Sequence, residues 1–348
     1  MRPCGVFDMT YEKDIAIVRT WQHWTILLGA VGVLFLLPLF VPRYFMNLAN
    51  FILINAIVVM GLQIVMGYCG QISFGQPAFM AVGAFTSSVL TIHYGFSFWL
   101  ALPISGIVAG VVGLIGGAPS LRIKGFYLAM STIAIFYVSI WVITHMDITG
   151  RNQGLTPPPP QFGSFSFNTD DRMYYIIMPV TLLMTFFARN LVRSRIGRAF
   201  VAISDNDLAA EVMGVNLYYY KMLAFFISCV YAGIAGSLYA HWYMAVTHEQ
   251  FTLIHALMYI GAIIIGGMGH IPGVFMGVIF LQLLDELVLF GSPRLAQSFP
   301  WIGVAPAASL GISAFGLVLI LFLIFEPRGL AHRWEEFKAS YRLYPFRN

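Results

Sequence analysis

Long apolar runs separated by short polar segments dominate the chain. Ten of these runs approach the roughly 20 residues that a helix needs to cross the hydrocarbon core of a bilayer. They are continuously apolar rather than alternating, which favours helices over the strands of a membrane barrel. We therefore predict an all-α, polytopic membrane protein with about ten transmembrane helices, at residues 24–42, 48–67, 74–92, 98–118, 123–144, 173–191, 219–241, 253–269, 272–290 and 309–325.

The polar segments at the two ends delimit this membrane domain. Residues 1–23 are expected to form an N-terminal tail, residues 24–325 the transmembrane domain and residues 326–348 a C-terminal tail. A cleavable signal peptide is not expected, because a long polar stretch precedes the first apolar run, which has full length.

The distribution of lysine and arginine predicts the orientation, because cytoplasmic loops are enriched in these residues. With ten spans, fifteen of the 19 basic residues fall on the side that carries both termini. The opposite side holds only Arg43, Arg151, Arg172 and Arg294. Both termini are therefore predicted to be cytoplasmic.

Composition supports this class and excludes several others. The chain is 59% hydrophobic and 10% charged, whereas soluble domains carry about 25% charged residues. Its net charge of +4 arises beside the spans and does not predict nucleic-acid binding. Three scattered cysteines and unclustered histidines predict neither disulfides nor a metal site. No phosphate-binding loop is present, so we expect no enzyme activity and no cofactor bound by this chain.

The longest charged segment between the apolar halves runs over residues 193–214. It predicts a short amphipathic helix at about 204–214, capped by Ser204 or Asp205 and closed by Gly214. Such a helix lies on the lipid surface or docks on a soluble protein. The acidic residues on it disfavour anionic lipid and favour a protein partner.

Glycines interrupt the apolar pattern between the second and third spans. Irregular backbone at membrane depth persists only where protein buries it or where it lines a water-filled cavity, and such interruptions are frequent in transport pathways. Two interpretations stay open, a translocation path and a tight turn between packed helices. The candidate path residues are Gly67, Gly70, Gln71, Ser73, Gly75 and Gln76.

A related glycine run follows at residues 265–273, where Gly266, Gly269 and Ile271 repeat the spacing of Gly67, Gly70 and Ile72. Both runs are expected at the cytoplasmic ends of spans. The similarity is short, so it does not by itself establish a repeat.

Polar and acidic residues occur within the predicted spans. Asp285 and Glu286 are expected near the outer end of the ninth span, where a hydrated vestibule would suffice for them. Asn55, Gln63 and Gln282 line a polar path or form hydrogen bonds between helices.

The loop 145–172 is expected outside the cell. Its run Pro157–Pro160 and its glycines exclude a span and predict a structured loop. It contacts an external substrate carrier or is a plain solvent loop.

Several motifs, in order, resemble the LivM-type permease subunits of branched-chain amino-acid ABC importers. The resemblance extends from about residue 48 to 330. It is carried by the stretches 67–75, 121–129, 149–155, 195–214 and 266–269.

The resemblance implies a ten-span, type II importer-like permease bundle. It implies a second, LivH-like permease as partner, two cytoplasmic ATPase subunits that use ATP, and a periplasmic substrate-binding protein. The residues similar to the family's ATPase-coupling helix are Asp207, Leu208, Ala209, Ala210, Glu211, Val212, Met213 and Gly214.

The expected function is therefore permeation of branched-chain or related amino acids, energised by separate subunits. The alternative is a secondary transporter or channel for a small polar solute. Association with ATPase subunits distinguishes the two.

Overall fold

The structure, a computed structural model, describes residues 21–120, 125–163, 165–298, 304–326 and 328–343. α-Helices account for most of this part of the chain. They are α1 (Trp21–Phe40), α2 (Arg43–Leu62), α3 (Gln76–Ile92), α4 (Phe98–Ser120), α5 (Phe126–His145), α6 (Asp170–Arg193), α7 (Arg195–Asp205), α8 (Asp207–Val212), α9 (Leu217–Tyr243), α10 (Leu253–Gly266), α11 (Ile271–Ser298), α12 (Val304–Phe325) and α13 (Gly329–Leu343).

Four short helical turns and one hairpin complete the described elements. A π-helical turn, Gln63–Tyr68, continues α2. The other turns, Asp147–Thr149, Arg151–Gln153 and His248–Gln250, are 3-10 helical. The hairpin pairs β1 (Gln161–Phe162) with antiparallel β2 (Phe165–Ser166). The predicted all-α class therefore holds except for these short strands.

Helices overlap all ten predicted spans, but they differ in length. Within the described residues, seven segments are long and apolar enough to cross a membrane, or eight if the bent pair Phe315–Phe325 and Gly329–Lys338 is one span. The third predicted span corresponds to α3, which has 17 residues and is shorter than the seven, whereas α10 reaches sufficient length together with the preceding 3-10 turn, as His248–Gly266. The structure is thus a polytopic helical membrane protein, and the count of ten stays a prediction.

The helices α2 and α9 form the core of the bundle. Residues 54–66 of α2 and its π-helical turn are buried on all sides, which is typical of a helix surrounded by other helices. The helix α9 packs against α2, α3 and α4. Lipid tails are as apolar as the side chains, so association depends on close packing rather than on escape from water.

Glycines allow α3 and α9 to approach closely. A Cβ atom added to Gly83 would lie 2.3 Å from the carbonyl oxygen of Gly233, and one added to Gly236 would lie 2.0 Å from that of Met80. Any side chain at these positions would therefore push the two helices apart.

Buried hydrogen bonds connect this core to the predicted external loop. His241, near the end of α9, donates from Nδ1 to the carbonyl oxygen of Pro158 at 2.9 Å. Its Nε2 then accepts from Ser87 at 3.0 Å, and Ser237 donates to Ser87 at 2.8 Å. The carbonyl oxygen of Pro158 can only accept, so His241 Nδ1 carries the proton, and each hydroxyl in this chain of bonds donates toward His241. The loop is therefore anchored to the bundle.

A second anchor holds the other part of this loop. Leu155 and Val246 exchange two backbone hydrogen bonds, of 2.9 and 2.8 Å. Trp242 donates to the Asp170 carboxylate at 2.9 Å at the start of α6. The segment 145–172 thus has the defined structure that its prolines and glycines predicted.

The predicted tails need two corrections. Residues 1–20 lie outside the described residues, as do Arg122 and Lys124, but α1 already includes Trp21 to His23 of the expected N-terminal tail. The expected C-terminal tail contains α13, which packs on α10 and α11. An ion pair between Arg333 and Glu326 stabilises the turn that leads into it. Residues 344–348 lie outside the described residues.

We predict that Gly83→Ala destabilises the bundle. The added methyl group forces α3 away from α9, and overpacking of this kind costs about 1–3 kcal/mol. Thermal unfolding of the purified protein in detergent measures the effect. Gly29→Ala in α1 is the control, because an added Cβ there meets no atom within 4 Å. Equal melting temperatures for the two variants would contradict the packing argument.

Candidate functional site

The first glycine break separates α2 from α3. After the π-helical turn the chain has no regular secondary structure from Gly70 to Gly75, and Gln71 N donates to the carbonyl oxygen of Val65 at 2.9 Å. Phe74 N donates to the Thr132 hydroxyl at 3.1 Å. The freed backbone groups of the break are therefore partly met by neighbouring side chains, as irregular backbone at membrane depth requires.

The predicted path residues occupy three different environments. Gln71, Ser73 and Gln76 are at most 4% exposed, and Gly75 is buried as well. Gln76 donates to Ser228 of α9, whereas Gly75 N donates to Ser73 at 3.4 Å. Gly67 is half-buried and Gly70 is exposed. Of these six residues, Gly70 and Gln71 line a described cavity.

Three glutamines at this break each keep a buried amide oxygen without a protein partner among the described residues. They are Gln63, Gln71 and Gln76. Buried acceptors are almost always hydrogen-bonded in folded proteins. These oxygens are therefore available to water or to a polar solute at the break.

The two glycine runs, which share a spacing in the sequence, are in contact in the structure. Gln63 Nε2 donates to the carbonyl oxygens of Gly267, at 3.1 Å, and His270, at 3.4 Å. A Cβ atom on Gly67 would lie 2.9 Å from the backbone nitrogen of Gly269. The break between α10 and α11 is thus joined directly to the break between α2 and α3.

A polar cavity connects the first break to the charged segment 193–214. Its volume is about 360 Å³. Gly70 contributes from the break, where an added Cβ would lie 3.0 Å from the Ser204 hydroxyl oxygen. Further lining residues are Cys69, Gln71, Asp205, Asn206, Asp207 and Lys221.

The predicted coupling helix was wrong at its beginning. Residues 204–214 do not form one helix, because Ser204 and Asp205 complete the last turn of α7. Asn206 has an extended backbone and accepts from Ala209 N at 3.2 Å, so it is the residue that caps α8. An asparagine side chain satisfies the free N–H groups of a helix start as well as serine or aspartate does.

The apolar face of α8 points away from the protein. Leu208, Val212 and Met213 are 65%, 87% and 83% exposed, whereas Ala210 is buried. Ala209 and Glu211 are also exposed. Gly214 has φ of +86°, the left-handed conformation predicted for the turn after this helix.

Asp207 has a partner within the chain. Its carboxylate lies 3.6 Å from Lys221 Nζ at the start of α9. The sequence assigned this charge to the rim of a partner protein, together with Glu211. The structure assigns Asp207 to the junction between α8 and α9 instead, because the chain reverses at Gly214.

A second polar cavity, of about 170 Å³, lies between α2, α10 and α11. It brings together Asn55, Gln282 and Asp285, which are far apart in the sequence. Asp285 lies five residues before the end of the membrane-spanning segment Ile271–Phe290, toward the end that the sequence predicted, and α11 itself continues to Ser298. His255 and Tyr259 also line this cavity. Their i, i+4 spacing indicated a shared helix face, but not what that face meets.

Interlocked breaks inside a helical membrane bundle are typical of transport proteins. The comparison with protein families specifies the class further. The chain belongs to the family described as "Branched-chain amino acid transport system / permease component", which it matches over residues 44–325.

Curated relatives agree with this assignment. The chain is similar to the high-affinity branched-chain amino acid transport system permease protein LivM of Escherichia coli, with 29% identity over 84% of this chain and 71% of the relative. The values for LivM of Salmonella typhimurium are the same. A probable LivM of Methanocaldococcus jannaschii is 25% identical over 66% of this chain and 67% of the relative. No solved structure matches the chain significantly.

We predict that Gln63→Leu weakens the joint between the two breaks. The carbonyl oxygen of Gly267 loses its buried donor, and an unsatisfied buried group costs about 1–3 kcal/mol. The midpoint of thermal unfolding in detergent should fall. Gln161→Leu is the control, because Gln161 is exposed in β1, and its midpoint should not change. A Gln63 variant as stable as this control would show that the joint contributes nothing.

Proposed function

We propose that this chain is the permease subunit of an ABC importer that moves branched-chain or related amino acids across the cell (inner) membrane. Both termini face the cytoplasm, and ten spans form a type II importer-like bundle. The partners are a second, LivH-like permease, two cytoplasmic ATPase subunits and a periplasmic substrate-binding protein. ATP is bound and hydrolysed by the ATPase subunits, and this chain is a transport subunit rather than an enzyme. The family match and the named functions of the relatives support this proposal.

The exposed apolar face of α8 is the observation that carries the ATPase-coupling role. Leu208 and Val212 lie on the six-residue helix α8 and Met213 directly follows it, within the charged segment 193–214. Burying such side chains is worth roughly 1.5–3 kcal/mol each when complete. A groove on an ATPase subunit would bury them and pair with Glu211 at its rim.

The neighbouring cavity suggests how docking reaches the membrane domain. The segment Ser204–Asp207 lines it on one side and Gly70 with Gln71 on the other. A displacement of α8 would therefore reach the first break, and through Gln63 the second break. The bond between Gln63 and Gly267 makes the two breaks move together. We propose that this coupled movement switches access along a path that includes Gly67, Gly70, Gln71, Ser73, Gly75 and Gln76.

A secondary transporter or channel is the second candidate function. Asp285 favours it, because carboxylates within membrane helices are common in proton- and ion-coupled pathways. Such a protein would need no ATPase and would have no use for an exposed apolar helix outside the membrane.

We predict that the double variant Leu208→Asp with Val212→Asp abolishes ATPase association and uptake. The two carboxylates place charge where an apolar groove is expected, while no membrane span is altered. Co-purification of the ATPase with membrane-inserted protein and uptake of labelled leucine measure the effect.

The control for this variant is Phe162→Asp, since Phe162 is 71% exposed but lies in the predicted external loop. It should retain ATPase association. Full association and uptake in the double variant would refute the coupling role of α8 and favour the second candidate function.

We predict that the loop 145–172 and the C-terminus lie on opposite sides of the membrane. An epitope inserted within Pro157–Pro160 should bind antibody on intact spheroplasts. The same epitope placed after Asn348 should bind only after the membrane is permeabilised. Equal access to both epitopes would refute the ten-span topology.

A further inference from the structure

The cavity between α2, α10 and α11 has the size of a small solute. Its volume is about 170 Å³. A single water needs roughly 10–15 Å³ by the same kind of measure, and pockets for drug-sized ligands begin at roughly 300 Å³. The cavity is lined by residues of three membrane-spanning segments, Arg43–Tyr68, His248–Gly266 and Ile271–Phe290.

Two N–H donors of this cavity have no acceptor among the described residues. Tyr259 donates from its hydroxyl to Asn55 Oδ1 at 3.2 Å, with the Met80 sulfur as a longer alternative acceptor at 3.6 Å. The bond to Asn55 leaves Nδ2 as the free end of the amide. Thr252 lies next to His255 Nδ1, with its hydroxyl at 2.9 Å and its backbone N–H at 3.4 Å. The backbone N–H can only donate, so Nδ1 is the acceptor. In the neutral imidazole the proton is therefore on Nε2.

The acceptor in the cavity is the carboxylate of Asp285. It forms no hydrogen bond or ion pair with any described residue, and no lysine or arginine is among the residues that line this cavity. A carboxylate removed from water is unfavourable unless it is paired with a cation or hydrogen-bonded. The amide of Gln282, one turn away, can donate or accept.

The rest of the lining is apolar. Phe51, Val59 and Leu281 are among its residues. The cavity thus combines one anionic acceptor, two N–H donors and an apolar wall in a small volume. This combination is complementary to a molecule that carries an ammonium group, a carboxylate and a short hydrocarbon side chain.

We propose that this cavity is a membrane-buried binding site for a zwitterionic α-amino acid with an apolar side chain. Asp285 binds the ammonium group. Asn55 Nδ2 and His255 Nε2 donate to the carboxylate, and the wall that contains Phe51 and Val59 holds the side chain. This site rests on the proposed function and adds to it a group of residues distinct from the glycine breaks.

The recognition chemistry separates this ligand class from others. A metal ion or a proton would use Asp285 but not the two N–H donors. An uncharged polar solute would leave the Asp285 carboxylate unpaired. Only a solute that carries both charges satisfies both ends of the cavity.

Uptake by the complete importer in proteoliposomes, with its binding protein and ATP, tests the site. Asp285→Asn removes the charge at nearly constant shape. Hydrogen bonds to charged groups support a loss of leucine uptake of roughly tenfold to hundredfold. Glu286→Gln is the matched control, because it makes the same change at the next residue, which is outside the cavity lining. It should transport at the wild-type rate.

Basal ATP hydrolysis and subunit stoichiometry accompany each uptake measurement. Subunit stoichiometry should be that of the wild type in Asp285→Asn, so that a loss of uptake is not a loss of assembly, and the control Glu286→Gln should keep wild-type basal ATP hydrolysis. Wild-type uptake by Asp285→Asn would overturn the site. If wild-type protein itself moved no amino acid, the proposed function would be overturned, which is a different result from a defect confined to Asp285→Asn.

Thiol labelling provides a readout that does not depend on transport or on the Asp285 variant. In a variant without native cysteines, Gln282→Cys should react with a small water-soluble thiol reagent. Leucine should slow the reaction, whereas isocaproate, which has the same carbon skeleton without the ammonium group, should not. Leu283→Cys, outside the cavity lining, should show no protection by leucine.

Equal protection of Gln282→Cys by leucine and isocaproate would overturn the assignment of the ammonium group to Asp285. No protection by leucine at any concentration that supports uptake would overturn the site as a whole.

Discussion

Broken helices in a bilayer depend on one constraint, which is that every backbone group freed by the break must find a partner inside the protein. Gln63 meets this constraint for two breaks at once. It lies on the π-helical turn of the first break, and its amide donates to carbonyl oxygens of the second. The contact of Gln63 with the second break therefore has a structural role, because it supplies a hydrogen-bond donor to carbonyl oxygens that the glycine-rich turn leaves free. The same joint makes it difficult to move one break without the other.

This arrangement connects the charged segment 193–214 to the glycine breaks through direct contacts between neighbouring residues. The helix α8 is short and presents its apolar side chains outward. Because these side chains are not buried within the chain, their burial would stabilise a complex with a partner. The ion pair of Asp207 with Lys221 fixes α8 to the start of α9, the helix at the centre of the bundle. A partner that seats on α8 therefore acts on the most tightly packed element of the protein.

The polar cavity between α2, α10 and α11 belongs to a different part of the bundle from the glycine breaks. The breaks are built from backbone and amide groups, which suits movement, because such groups can exchange partners at small cost. The cavity is built from side chains on regular helices, which hold a fixed geometry and suit recognition. Both lie on α2 or its continuation and on α10 and α11, so the same helices would transmit binding to the breaks.

The long apolar runs determined the class of the protein and the approximate positions of the ten long helices, because a bilayer demands long apolar helices. They did not predict α7 or α13, which lie in polar segments. Local chemistry also determined the left-handed turn at Gly214 and the structured loop after α5. The sequence did not determine that Asn206 rather than Ser204 caps α8, since all such residues cap helices about equally well.

Contacts between distant residues were decided only by the tertiary structure. Gln63 could bond within its own helix or across to another, and only the packing of α2 against α10 and α11 brought it to Gly267. Asp285, Asn55 and His255 each had a local explanation in the sequence. They form one cavity because α2, α10 and α11 pack with these faces together. Helix packing in lipid depends on the shape complementarity of two surfaces, which the sequence of one helix alone does not determine.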